Sequence, residues 1–189
     1  MLKFTKEFIL SPRSTGAIAP SSSELANTIT NAANLAMAKT VVEFGSGTGV
    51  FTERILQNIG NETVFFALEI NPVFVNKTRQ RCPDAIVYQD WASNVKKYLE
   101  DHGESHCDCI VSGLPWTLFE AAEQNQLLHV ISESLRPNGT FVSFTYLGGN
   151  LSPGGRRFKN SLPSHFSRIS RTKMVWNNLP PAFVYSCTK

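Results

Sequence analysis

The chain has 189 residues, with 18 Lys+Arg against 15 Asp+Glu, 42% hydrophobic and 17% charged residues, the profile of one soluble globular domain with little room for a second. Its longest uncharged stretch, residues 137–155, spans 19 residues but is interrupted by five Gly, two Pro and two Asn, which excludes a transmembrane helix. Lys3, Lys6 and Glu7 exclude an apolar export signal, and four Cys without a C-x-x-C pair read as reduced thiols rather than a disulfide frame or zinc site, so a metal-free cytoplasmic chain is expected.

In chain order, residues 1–10 place Met1, Leu2, Phe4, Phe8 and Ile9 on one arc of a helix, with Lys3, Lys6 and Glu7 opposite. Ser11-Pro12 breaks that amphipathic helix, and the serines at 21–23 cap a second helix running through Ala36. Residues 1–36 are therefore read as a helical cap or membrane-contact segment, and 37–189 as an α/β domain. Within it, strands are expected over 40–44, 63–69, 85–88, 107–112 and 139–146, alternating with about four helices as in parallel βαβ units. Phe51, Ile55 and Ile59 mark one helix, and Leu128, Ile131 and Leu135 another. Asn71-Pro72 starts a helix, whereas Pro137-Asn138-Gly139 stops the one ending near Leu135. A Gly/Pro/Arg loop follows through residue 160, then two strand-like runs, 167–176 and 183–187, joined at Asn177-Asn178-Leu179-Pro180-Pro181 as an antiparallel hairpin.

The most informative motif is Val41-Val42-Glu43-Phe44-Gly45-Ser46-Gly47-Thr48-Gly49, a strand ending in an acid, a glycine turn and the start of a helix. Glycines there let the backbone turn sharply and a ligand approach closely, at the strand edge where doubly wound sheets bind ligands. The next strand ends at Glu69, 20 residues after Gly49, where a carboxylate can accept hydrogen bonds from both ribose hydroxyls. A dinucleotide fingerprint is spaced G-x-G-x-x-G; this turn is G-x-G-x-G and is preceded by a carboxylate, which repels pyrophosphate and suits an ammonium and a sulfonium.

This arrangement resembles the class I S-adenosylmethionine-dependent methyltransferases. The resemblance implies a Rossmann-like fold, a mostly parallel seven-stranded sheet with an antiparallel C-terminal strand and helices on both faces. It implies S-adenosyl-L-methionine as cofactor, with Glu43 at its methionine end, Gly45, Ser46, Gly47 and Gly49 in the close-approach turn, and Glu69 with Ile70 at the ribose. Asp90 is carried to the adenine amino group, Trp91 to stacking and Ser112 to the edge of the same site; Asp90 is equally suited to cap a helix over 92–99.

Charge and the fourth-strand turn narrow the acceptor. Up to Glu133 the chain has 10 Lys+Arg and all 15 acids, a net of −5; the last 56 residues have 8 Lys+Arg and no acid, a net of +8. A wholly basic segment is suited to an anionic membrane surface, a nucleic acid or a phosphate-bearing substrate. Adenine N6-methyltransferases carry N/D-x-P-Y/F/W after the fourth strand, whereas this chain has Gly113-Leu114-Pro115-Trp116, lacking the side chain that holds a nucleobase amine. Phe8 to Ser22 (Phe-Ile-Leu-Ser-Pro-Arg-Ser-Thr-Gly-Ala-Ile-Ala-Pro-Ser-Ser), Leu68-Glu69-Ile70-Asn71-Pro72, Ser112-Gly113-Leu114-Pro115, Phe144-Thr145-Tyr146 and Asn178-Leu179-Pro180-Pro181-Ala182 are similar to the bacterial phospholipid N-methyltransferases. That family converts phosphatidylethanolamine towards phosphatidylcholine, which implies a membrane phospholipid substrate and peripheral association with the inner face of the membrane. Tyr146 and Trp116 are the expected catalytic aromatics, converging with Trp176 and Asn178 to hold an amine by cation–π contact, and Arg156, Arg157 and Lys159 are suited to a lipid phosphate. An RNA adenine methyltransferase and a cofactor-binding, membrane-docking protein without turnover remain as alternatives.

Overall fold

The computed structural model describes residues 21–189; the amphipathic helix expected over 1–10 and most of the segment from Phe8 to Ser22 lie outside them. The elements are α1 (Ser23–Ala33), β1 (Thr40–Phe44), α2 (Val50–Asn58), β2 (Val64–Leu68), α3 (Pro72–Arg81), β3 (Ile86–Tyr88), α4 (Val95–Asp101), β4 (Cys107–Ser112), α5 (Ala121–Ser134), β5 (Leu135–Tyr146), α6 (Pro153–Ser161), β6 (Arg168–Arg171) and β7 (Ala182–Thr188). The expected strands over 40–44 and 107–112 coincide with β1 and β4.

Differences from the sequence reading have local causes. Helix α1 begins where the Ser22 hydroxyl accepts the Leu25 amide, but it ends before residue 36 because Asn34 turns left-handed at φ 52°. Strand β5 starts at Leu135, directly after α5, and the Pro137-Asn138-Gly139 breaker lies inside it as an irregularity: pairing jumps from Cys107–Leu135 to Cys109–Thr140. Residues 153–161, read as loop, form α6, because the Ser152 hydroxyl caps the Gly155 amide and Pro153 occupies the first turn.

One seven-stranded sheet has the order β3-β2-β1-β4-β5-β7-β6. Strands β1 to β5 are parallel; β7 runs antiparallel between β5 and β6, so the C-terminal pair is a hairpin whose second strand is the inner one. Apolar side chains cover both faces. Leu25, Ile29, Phe51, Ile55 and Val75 of α1 to α3 pack on one, and Tyr98, Leu99, Leu128, Ile131 and Phe158 of α4 to α6 on the other. Each such buried side chain contributes about 1.5–3 kcal/mol, so the parallel strands are held from both sides. At the opposite edge from the glycine turn, Asp108 accepts the Lys39 and Thr40 amides at 2.8 and 2.9 Å and pairs with Arg136 at 2.8 Å.

At the carboxyl edge, the loops after β1 and β4 meet. The Gly113 amide donates to the Phe44 carbonyl at 2.7 Å, and a Cβ on Gly113 would lie 2.5 Å from the Gly45 carbonyl oxygen. No L side chain fits there without moving backbone, which gives a structural reason for the missing Asn. Gly113→Ala is expected to destabilise the protein by about 1–3 kcal/mol in urea unfolding. The control Gly60→Ala, whose Cβ would meet only the Thr63 hydroxyl at 3.6 Å, is expected within about 0.5 kcal/mol of the parent.

Candidate active site

The turn 45–49 links β1 to α2 and is tied down on all sides. The Gly45 amide donates to the Leu68 carbonyl at 2.8 Å, and Thr78 of α3 donates its hydroxyl to Ser46 Oγ at 3.0 Å and the Gly47 carbonyl at 3.1 Å. Gly47 has φ +57°, and a Cβ there would meet nothing within 4 Å. A ligand can therefore lie directly against the backbone at this point.

Two acids flank the turn. Glu43 is fully buried; its Oε2 accepts the Thr52 hydroxyl at 2.6 Å, and Oε1 has no hydrogen-bond partner among the described residues. Burial pushes its carboxyl up to about 8; the Thr52 hydrogen bond opposes the shift and the charge of Glu69 adds to it. Glu69, at the end of β2, accepts the Gly47 amide at 3.0 Å on Oε2 and the Asn71 amide at 2.8 Å on Oε1. Its carboxyl is also raised by burial, against the hydrogen bonds from Asn71, Gly47 and Ile70. A buried orphan oxygen and two acids held above their ordinary range fit a ligand carrying positive charge, as an ammonium and a sulfonium do.

Asp90, after β3, is engaged locally. Its Oδ1 accepts the Trp91 amide at 2.7 Å and the Asn94 side chain at 2.8 Å, and Oδ2 accepts the Tyr98 hydroxyl at 2.9 Å. Burial tends to raise its carboxyl, but the hydrogen bonds from Trp91, Tyr98 and Asn94 and the charge of Lys97 hold it below the ordinary value. These bonds stiffen the turn 92–94 and leave Trp91 half-buried beside it. Ile70 is also half-buried, next to Glu69. Ser112, fully buried, accepts the Trp116 indole N–H at 3.1 Å, and its carbonyl accepts the Ser143 hydroxyl.

The aromatics do not converge as expected. Trp116 is 2% exposed and stacks on Phe158 at 4.5 Å, in the core of the face covered by α4 to α6. Tyr146 lies with Phe144 on the other face, half-buried, the two rings edge-to-face at 5.2 Å, and burial raises its hydroxyl. Trp116 lies in the core because Gly154 lets α6 approach the turn 116–118, where a Cβ on Gly154 would overlap the Thr117 carbonyl; Gly155 allows the same close approach to the Gly149 carbonyl. Trp176 is exposed, and Asn178 is buried, accepting the Ser22 amide at 2.8 Å and donating to the Pro180 carbonyl at 2.7 Å. Arg156, Arg157 and Lys159 are exposed on α6, and Arg157 donates to the Phe119 carbonyl at 3.2 Å.

Sequence reasoning missed Thr52 and Thr78, which hold Glu43 and the glycine turn. Both are buried threonines on the inward faces of α2 and α3, beside Phe51 and in the Val75–Thr78–Cys82 stripe, so a polar residue interrupting an apolar stripe was the available signal. Among the described residues no helix is long and apolar enough to cross a membrane, and no group of three or more His, Cys, Asp or Glu can hold a metal ion.

The chain is similar to known methyltransferases. The methyltransferase domain family matches residues 41–139, from β1 into β5 and including both acids and the glycine turn. Across 187 residues, 97% of this chain and 93% of the relative, the sequence is 29% identical to the ornithine lipid N-methyltransferase of Singulisphaera acidiphila. The O-methyltransferase TomG of Streptomyces achromogenes in complex with SAM aligns at TM-score 0.71 and 17% identity, covering 97% of this chain and 88% of that one. The N-methyltransferase NodS of Bradyrhizobium japonicum aligns at 0.70 and 12%, covering 88% and 94%. At those identities the two structures speak for the fold. The family match, over half of the chain and including the turn described above, carries the conclusion: this chain belongs to the methyltransferase domain family.

Proposed function

We propose that this enzyme methylates the head-group amine of a membrane lipid, phosphatidylethanolamine towards phosphatidylcholine, while peripherally associated with the inner face of the membrane. The observation that carries the reading is the similarity over 97% of the chain to a protein named as a lipid N-methyltransferase. That relative's name also favours ornithine lipid as a second acceptor. The acid-free, basic last 56 residues and the glycine enforced at position 113 support a lipid over a nucleobase.

The donor supplies an electrophilic methyl group on a sulfonium. In this reading Glu43 Oε1 takes the ammonium, and the pair Glu69 and Ile70 takes the ribose. Asp90 and Trp91 hold the adenine, and Gly45, Ser46, Gly47, Gly49 and Ser112 form the close-fitting wall. Trp116 acts as a positioning residue through its bond to Ser112. Tyr146, at the carboxyl end of β5, faces the acceptor amine. Once the head-group ammonium had lost its proton to water, the nitrogen lone pair would form the C–N bond as the C–S bond broke, and an aromatic face would stabilise the positive charge gained by nitrogen.

The direct test incubates the protein with methyl-labelled S-adenosylmethionine and vesicles of phosphatidylethanolamine or ornithine lipid, then separates the lipids by thin-layer chromatography. Label in lipid is expected; label in RNA and none in lipid overturns the reading. For the acceptor site, Tyr146→Phe is expected to keep kcat within about 3-fold and Tyr146→Ala to lower it about 10- to 30-fold, because the ring face is the stabilising element. The Glu43 carboxyl keeps its proton to about pH 8 in the folded protein and loses it near 4.5 when unfolded. The folded state thus binds more protons across that window, and stability falls as pH rises through it. Urea unfolding at about pH 9 should find Glu43→Gln more stable than the parent, on the order of a few kcal/mol, with the gap closing towards about pH 5.

A further inference from the structure

The exposed large apolar side chains are unevenly placed. Among the described residues they are Met37, Val73, Ile86, Leu118, Leu147, Leu151, Ile169, Trp176 and Leu179. Five of these nine sit on connections leaving the carboxyl ends of β4, β5 or β6, the edge that carries the glycine turn, and a sixth, Val73, lies in the first turn of α3 at the same edge. The most exposed of the six cluster at one end of that edge. Leu147 and Leu151, 53% and 71% exposed, follow β5; Trp176 and Leu179, 68% and 77% exposed, occupy the β6–β7 connection. The two loops are bonded to each other, the Leu147 amide donating to the Pro181 carbonyl at 2.6 Å, and Val175 bridges Ala182 beneath them. The apolar tips are therefore presented from a fixed frame.

Charge gives the partner's chemistry. Arg156 and Arg157 lie in α6, five and six residues after Leu151, and Lys173 precedes Trp176 by three residues; all three are exposed. These elements belong to the part of the chain without Asp or Glu. Glu24 approaches from α1 but is held by the Asn177 side chain at 2.7 Å. Leucine and tryptophan tips bordered by Arg and Lys form the combination that enters the headgroup boundary of an anionic bilayer.

We propose that loops 147–151 and 176–181 dock the carboxyl edge of the sheet, and with it the methyl-transfer site, onto an anionic lipid surface. Leu147, Leu151, Trp176 and Leu179 enter the interface, and Arg156, Arg157 and Lys173 meet the anionic headgroups. The head-group amine then reaches Tyr146 without the lipid leaving the bilayer. The value of this placement rests on the lipid reading above, but docking is measured separately from turnover.

The test is co-sedimentation of the full chain with phosphatidylcholine vesicles, with and without phosphatidylglycerol, comparing the parent with the combined variant Leu147→Ser, Leu151→Ser, Leu179→Ser. The parent is expected to partition preferentially onto the anionic vesicles, and the variant at least about ten-fold more weakly, with its S-adenosylmethionine affinity unchanged by calorimetry. Independently of the variant's folding, brominated acyl chains should quench a component of the parent's emission that Trp176→Phe removes. Equal partitioning of parent and variant, no preference for anionic vesicles, or no quenching of Trp176 overturns the proposal. So does a parent dimer that the variant dissolves without any vesicle binding, which assigns the face to a second copy. Docking lost in the variant while the parent binds vesicles but labels no lipid supports the docking surface and overturns the substrate reading instead.

Discussion

The backbones of Gly45 and Gly113 lie so close that the turn after β1 and the loop after β4 form a single unit. Everything on the carboxyl edge is placed relative to that contact. It sets the distance from the glycine turn to Leu114, whose side chain closes over Gly45, and it directs the chain so that Trp116 enters the core and donates to Ser112. Side-chain volume at Gly113 would push the loop after β4 away from the turn after β1, whereas at Gly45 it would first meet the Leu114 side chain at 3.0 Å.

Within this rigid frame the electrostatics are one-sided. Glu43 and Glu69 are buried on either side of the turn, and among the described residues the bonded partner of Glu43 is the neutral Thr52 hydroxyl rather than a lysine or arginine. Such a site is poor for an anion and unfavourable while its acids are ionised and unaccompanied. A ligand bringing its own positive charge relieves that cost. The basic residues of the C-terminal part lie elsewhere, on α6 and β6, so the two signs of charge are kept apart within one small domain.

Much of the frame was legible from residue patterns. β1 and β4 are nearly continuous apolar runs, as strands buried on both faces must be, and the acid-glycine turn announces itself by spacing alone. Boundaries set by tertiary contact were not legible: the Pro137-Asn138-Gly139 signal is absorbed inside β5 because β4 pairs on both sides of it. The aromatic residues misled for a related reason. Tyr146 and Trp116 are each suited to holding an amine, but which face of the sheet each ring occupies depends on strand register and on the close approach of α6 through Gly154 and Gly155, and neither is written in local sequence.

The strand order also governs how the molecule is assembled during synthesis. Helix α1 leaves the ribosome before any strand, yet its buried side chains rest against β4, β5 and β7, and the Ser22 amide awaits an acceptor on Asn178, 156 residues later. Strand β6 is likewise made before the strand that holds it in the sheet. A nascent chain lacking β7 therefore leaves one edge of β5 unpaired and part of the apolar face of α1 uncovered. Closure of the fold and loss of that sticky surface come with the same seven residues, 182–188.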